Sequence, residues 1–94
     1  MDITRIEDAK VVLNDITSKT PIVHATKIHD NLWIKAENLQ GTGAFKLRGA
    51  YYKLSKLSEE EKAKGVIAAS AGNHAQGVAY GCMKKGVKGT TVMP

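Results

Sequence analysis

An α/β fold built on a parallel strand pair is what this sequence predicts, and three features carry the prediction. Val66-Ile67-Ala68-Ala69 is a short, unbroken apolar run, which reads as a buried strand. An amphipathic stretch follows, with Ala75, Val78, Ala79 and Cys82 on one side, and Thr90-Thr91-Val92-Met93 reads as another strand. Strand, helix and strand in that order predict a parallel pair joined by a right-handed crossover.

The remaining elements follow from the N-terminus. Thr4-Arg5-Ile6-Glu7 matches a capping box, in which a hydroxyl and an acid three residues on satisfy orphaned amides. Ile6, Ala9, Val12, Leu13 and Ile16 then recur at helical spacing, and Thr20-Pro21 ends that region. Leu32 to Glu37 alternates as a strand does, with Leu32, Ile34 and Ala36 on one face, before Gly41-Thr42-Gly43 breaks the chain. A second helix opens at Phe45 with a stripe of Leu47, Ala50, Tyr51, Leu54 and Leu57. Ser58-Glu59-Glu60-Glu61 is a second capping box and starts a short helix that Gly65 stops. In the helix after the Val66 run, Lys84 and Lys85 occupy the last turn and Gly86 stands as the C-cap. Gly77 and Gly81 lie one turn apart inside it, each costing about 1 kcal/mol relative to alanine, and close helix–sheet packing is the expected compensation. The last strand should be buried on both faces, yet no helix follows it, so the segment is expected to open a longer fold.

Composition narrows the function. With 43% apolar and 24% charged residues the 94-residue chain is ordinary for a folded domain and too short for two complete ones. No apolar run approaches the roughly 18–20 residues of a membrane helix, and the acidic start is unlike a secretory signal. The single cysteine, Cys82, fits a reducing compartment, so a cytoplasmic location is expected. The net charge is +5, but the lysines are spread along the chain without interleaved aromatics, which disfavours nucleic acid and leaves a solvated surface or an anionic small ligand. His24, His29 and His74 show no metal-ligand spacing.

Three segments could carry chemistry: Lys35 to Gln40, Gly41 to Ala50, and Ser70 to Gly77. The second lacks the Gly-Lys-Ser/Thr ending of a P-loop, and Lys46 stands where a dinucleotide fingerprint needs its third glycine. A lysine just inside a helix start is unusual, because the amide dipoles there favour negative charge. It is either a snorkelling surface residue or an amine placed against a carbonyl cofactor. The third segment joins a strand to a helix N-terminus, so the amides of Ala71 to His74 can converge on a carboxylate. Asn73 reads either as a helix cap or as a ligand group. Cys82 reads as a core thiol, and Tyr51 and Tyr80 as packing residues.

Taken together, Thr42-Gly43-Ala44-Phe45-Lys46-Leu47-Arg48-Gly49-Ala50 and Ser70-Ala71-Gly72-Asn73-His74-Ala75-Gln76-Gly77 resemble the threonine/serine dehydratases, pyridoxal 5'-phosphate enzymes of fold type II. The resemblance runs nearly end to end and implies the N-terminal portion of the tryptophan synthase beta-like fold, a three-layer αβα arrangement with parallel strands, here incomplete. It implies that residues 1–52 start the large cofactor-binding domain and residues 53–94 the smaller α/β domain. Lys46 is then the lysine that joins covalently to pyridoxal phosphate, Phe45 packs near its ring and Asn73 hydrogen-bonds its 3-hydroxyl. Ser70, Ala71, Gly72, Asn73 and His74 hold the carboxylate of the amino-acid substrate, threonine or serine. The implied reaction is β-elimination to a 2-oxo acid and ammonia. The implied partners are the remainder of the enzyme chain and further copies in a homo-oligomer, with no nucleic acid and no membrane.

Two positions depart or discriminate within the family. Many members have serine where this chain has Ala44, which removes a hydroxyl and spares the amine. Related serine racemases carry a serine at the place of Ala71 as a second acid/base, a task alanine cannot perform, so elimination is favoured over racemisation. The cysteine-synthase branch has an Asn-Pro pair upstream of its lysine, absent here. Making half of an ordinary lysine neutral at pH 7 takes a shift of about 3.4 units, or nearly 5 kcal/mol. A helix terminus contributes roughly 0.3–1 kcal/mol, up to ~2, so burial must supply most of it. That requires a closed pocket whose other walls, by resemblance, come from later sequence. The segment alone is therefore expected to be inactive. A folded, non-catalytic interaction module is the alternative from a different class.

Overall fold

The computed structural model describes residues 1–94. In chain order they form helix α1 (Ile3–Val12), strands β1 (Ile22–His24) and β2 (Trp33–Lys35), helices α2 (Lys46–Ser55) and α3 (Glu59–Lys64), strand β3 (Val66–Ala69), helix α4 (Asn73–Lys85) and strand β4 (Gly89–Val92). A short 3₁₀ turn spans Glu37–Leu39. β3 and β4 pair in parallel, Val66 opposite Gly89 and Ala69 opposite Val92, with α4 as the crossover, as the strand–helix–strand pattern predicts.

The core draws Ala50 and Leu54 from α2, Ala68 from β3, Val78 and Cys82 from α4, and Val87 from the turn before β4. Leu57 and Val66 pack against its edge. β3 does not meet the expectation of a strand buried throughout. Ala68 faces the helices, while the alternate position Ile67 is 78% exposed. Side chains of a strand point to opposite faces in turn, and these residues cover only the face that bears Ala68.

The two glycines of α4 pack on a helix rather than on the sheet. A Cβ on Gly77 would stand 3.1 Å from the Lys46 carbonyl oxygen and 3.3 Å from Ala50 Cβ. A Cβ on Gly81 would meet a Leu54 methyl at 2.5 Å, with the Tyr51 Cα at 3.6 Å. One turn along α4 thus matches one turn along α2, so the two helices run in the same direction with their backbones close together. Ala79, expected on the buried side, is exposed, and Gly77, Val78, Gly81 and Cys82 form the buried side instead. The stripe is placed by where glycine allows α2 to approach, which apolarity alone does not reveal.

The first helix begins earlier than its apparent capping box. Asp2 is the N-cap, its carboxylate accepting from the Arg5 amide at 3.3 Å and from the Thr4 hydroxyl, which places Thr4 inside the helix. An aspartate at this position satisfies the Arg5 amide, one of the orphan donors of the first turn. α1 ends at Val12, and the spacing out to Ile16 is carried by successive turns, with Ile16 and Thr17 amides both donating to the Leu13 carbonyl. The strand expected over Leu32 to Glu37 narrows to Trp33–Lys35 and pairs antiparallel with β1, Val23 opposite Ile34. β1 has no counterpart in the sequence reading, because three residues cannot display an alternation. The short third helix has the expected capping box between Ser58 and Glu61. Gly86 caps α4 in the left-handed conformation, φ 64°.

Candidate active site at the paired helix starts

Because α2 and α4 are parallel and α4 runs back across the strands it connects, both helix N-termini lie at the end where β3 finishes. Lys46 is the first residue of α2. Its neighbour Leu47 is fully buried and holds the helix down, while Lys46 and Phe45 are exposed. The Lys46 Nζ makes no ion pair or hydrogen bond and lies 5.5 Å from the centre of the Phe45 ring. The glycine contact on the Lys46 carbonyl brings the first turns of the two helices together.

The Ser70–His74 segment is tied to the sheet at one end and becomes helix at the other. The Ser70 amide donates to the Val92 carbonyl at 3.1 Å, and the Ser70 hydroxyl accepts from the Gly72 amide at 3.2 Å. Gly72 is the N-cap of α4 and offers no side chain, so the first-turn amides of Asn73, His74 and Ala75 keep their donors. Asn73 is the first helical residue, which excludes the capping role as its function. It lies one turn before Gly77 on the flank that meets α2, and therefore at the end where Lys46 stands. His74 lines a groove of about 250 Å³ between α2, β3 and α4, with Ala50, Leu54, Val66, Ala68 and Val78. Lys46, Phe45 and Asn73 thus stand at the same end of the paired helices, Ser70, Ala71 and Gly72 form the adjoining loop, and His74 borders the groove between α2, β3 and α4.

A further group is absent from the sequence-derived site. The Glu37 carboxylate is 19% exposed and receives a forked pair of hydrogen bonds from Arg48, Nε to Oε2 at 2.7 Å and an Nη to Oε1 at 3.0 Å. The Thr20 hydroxyl donates to it at 2.8 Å and the Gln40 amide nitrogen at 3.3 Å. Gln40 itself is almost fully buried, exchanging hydrogen bonds with the Ser18 amide and carbonyl at 2.9 Å each. The Arg48 guanidinium leads the effects that hold Glu37 at a pKa of about 2, against partial burial, with Thr20 and Gln40 assisting. Arg48 is raised in return, chiefly by its hydrogen bonds to Glu37. The signal was the segment from Lys35 to Gln40, conspicuous in the sequence, but its link to Arg48 is a contact between separate elements.

A hollow of about 810 Å³ lies between α1 and the side of α2 opposite Lys46, lined by Ile6, Leu13, Arg48 and Tyr52 among others, and includes none of the expected site residues. No group of three His, Cys, Asp or Glu side chains is placed to hold a metal ion. Burial pushes the Cys82 thiol upward, consistent with a packing role. No helix is long and apolar enough to cross a membrane.

The residues fit a cofactor that carries an aldehyde. An unpaired amine stands at a helix start beside an exposed aromatic ring, and glycines on its approach, Gly41 and Gly43, have nothing within 4 Å of where a Cβ would be. The closed pocket that would desolvate the amine is not formed by these residues, since Lys46 and Phe45 are both open to solvent.

Comparison with known proteins shows the family. The family model of the pyridoxal-phosphate dependent enzymes matches residues 13–94. The chain is 47% identical over 93 residues to the L-threonine dehydratase biosynthetic IlvA of Lactococcus lactis, covering 95% of this chain and 22% of the relative. Its structure superposes on the processed form of threonine deaminase isoform 2 from Solanum lycopersicum with a TM-score of 0.86 and 42% identity, covering 98% of this chain and 27% of that one. It superposes on serine racemase from Dictyostelium discoideum with a TM-score of 0.92 and 37% identity, covering 100% of this chain and 32% of that one. The chain therefore spans less than a third of the length of each of these proteins. Matched over most of its own length by the family model, with a free lysine where two parallel helices begin, the chain belongs to the pyridoxal-phosphate dependent enzymes.

Proposed function

We propose that this chain is the N-terminal part of a threonine/serine dehydratase that deaminates L-threonine to 2-oxobutyrate and ammonia by β-elimination. One observation carries the reading: Lys46, whose amine is free, starts α2 with its backbone packed on Gly77 of α4, so the two helix starts lie together. The bound cofactor supplies an electron sink for the charge left at the substrate α-carbon. Lys46 would hold the cofactor, and its Nζ is the base that would take the substrate α-proton. The β-hydroxyl then leaves, and hydrolysis of the released enamine yields the 2-oxo acid and ammonia. The loop Ser70–His74 orients the substrate, its free helix-start amides holding the carboxylate. Phe45 packs near the cofactor ring and Asn73 donates to its 3-hydroxyl oxygen. Ala71 provides no hydroxyl for proton return on the opposite face, so elimination is favoured over racemisation despite the likeness to serine racemase.

The same reading divides the chain into the start of the larger domain, residues 1–52, and the start of the smaller one, residues 53–94. It also makes the remainder of the enzyme and like subunits its partners in a cytoplasmic homo-oligomer.

The test is a chimaera in which residues 1–94 replace the matching segment of the Lactococcus lactis relative. Threonine-dependent 2-oxobutyrate formation is expected, with borohydride reduction fixing the cofactor on Lys46, and Lys46→Ala abolishing both. A folded chimaera whose label maps to another side chain overturns the reading.

A further inference from the structure

The start of α2 lacks the usual local support. Its N-cap, Phe45, makes no side-chain capping bond. The approach to it contains Gly41 and Gly43, neither with a neighbour near its Cβ position, and Gly43 has φ +74°. Such a loop has many conformations open to it. The segment's own backbone contributes two close ties, Gly43 to the Gln40 carbonyl at 2.7 Å and Arg48 to the Phe45 carbonyl at 3.0 Å.

Both ends of this segment converge on one carboxylate. Glu37 accepts from Gln40, the last residue before the glycines, and from Arg48, two residues after Lys46. At 100° per residue Arg48 projects from the side of α2 roughly opposite Lys46. The first turn is thus gripped from behind by Glu37 and from the front by Gly77, whose Cβ position lies 3.1 Å from the Lys46 carbonyl. Leu47 and the Ala50–Leu54 seam with α4 set the depth and inward face of the helix, and the forked ion pair adds a directional hold on its first turn, where the loop before it brings none. Thr20 and Lys35 extend the grip to the β1–β2 hairpin, Lys35 Nζ donating to the Thr20 hydroxyl at 3.0 Å.

We propose that Glu37 is a positioning residue for Lys46: by clamping Gln40 and Arg48 across the glycine loop, its carboxylate sets where the Lys46 amine stands. This rests on the reading of Lys46 as the cofactor lysine. Glu37 touches neither cofactor nor substrate in this role and acts through the backbone of residues 40–48.

Two measurements test it on the chimaera in which residues 1–94 replace the matching segment of the Lactococcus lactis relative. In the first, the protein is incubated with pyridoxal phosphate, reduced with borohydride and digested, and the label on Lys46 is expressed relative to the exposed lysines Lys27 and Lys88. In the second, amide hydrogen exchange is followed over residues 41–48 without cofactor. Glu37→Gln is expected to lower the labelling ratio about tenfold, within the range that small misplacements cost, and to speed exchange in 41–48 while α4 stays protected. Arg48→Lys keeps the charge, loses the fork and is expected to act in the same direction. Asp8→Asn, which releases a different tether of α2, should leave the ratio unchanged. A wild-type preference for Lys46 that survives both Glu37→Gln and Arg48→Lys, or unchanged exchange over 41–48, overturns the clamp. A wild-type protein with no preference for Lys46 overturns the cofactor reading itself, which distinguishes the two failures.

Discussion

α2 is held on its two flanks by opposite kinds of chemistry. Toward α4 the contact is apolar and close, made by Gly77, Val78, Gly81 and Cys82 against Ala50, Tyr51 and Leu54. Toward the N-terminal half it is polar, made by Glu37 on Arg48 at one end and by Asp8, which accepts from Tyr52 at 2.8 Å and pairs with Lys56, at the other. Dispersion and burial depend on volume and tolerate little change in shape, whereas a forked ion pair depends on charge state and direction. One flank supplies stability and the other orientation.

The comparison can be broken from the apolar side first. Leu54 is 4% exposed and sits where α2, β3 and α4 meet. Leu54→Ala is expected to cost about 2–5 kcal/mol, the range for truncating a buried leucine, read as a lower denaturant midpoint with an unchanged slope. Gly77→Leu forces a side chain against the Lys46 backbone and should cost about 1–3 kcal/mol as an overpacked contact. Because the strain falls on Lys46 itself, cofactor labelling there should drop as well, which Leu54→Ala at the other end of the seam should produce only through unfolding.

The polar flank is sharpened by acid. The Glu37 pKa lies at about 2, below the ordinary 4.5 of a glutamate, so its contribution is complete above pH 4.5 and is lost as pH falls through 2. The full shift corresponds to an upper limit of about 3 kcal/mol, reduced to about 1 kcal/mol by solvent around a partly exposed Arg48. A urea midpoint that falls between pH 4.5 and 2 in the wild type, and falls less in Glu37→Gln, is the expected result. The smallest effect belongs to Asp8→Asn, an exposed tether that salt screens; its thermal midpoint should stay close to the wild type at physiological ionic strength.

Local grammar made part of this molecule readable beforehand. The Ser58 capping box, the left-handed Gly86, the Val66–Ala69 run and the parallel pairing all arise from residues near one another in the chain, so their physics is written in short stretches. Lys46 and the Ser70–His74 loop were legible as chemical candidates because each joins an unusual residue type to a helix start. The true N-cap at Asp2 was obscured by a competing match two residues on, and β1 was too short to show a pattern.

The order of the elements, the amine at the head of α2 and the glycines of α4 were determined by the sequence on its own. That those glycines receive a helix, that this makes α2 and α4 parallel, and that Glu37 closes on Arg48 were decided only in three dimensions. The reason is distance along the chain: Gly77 meets Lys46 and Glu37 meets Arg48 across separate elements, and no local preference specifies which surfaces meet once the chain is compact.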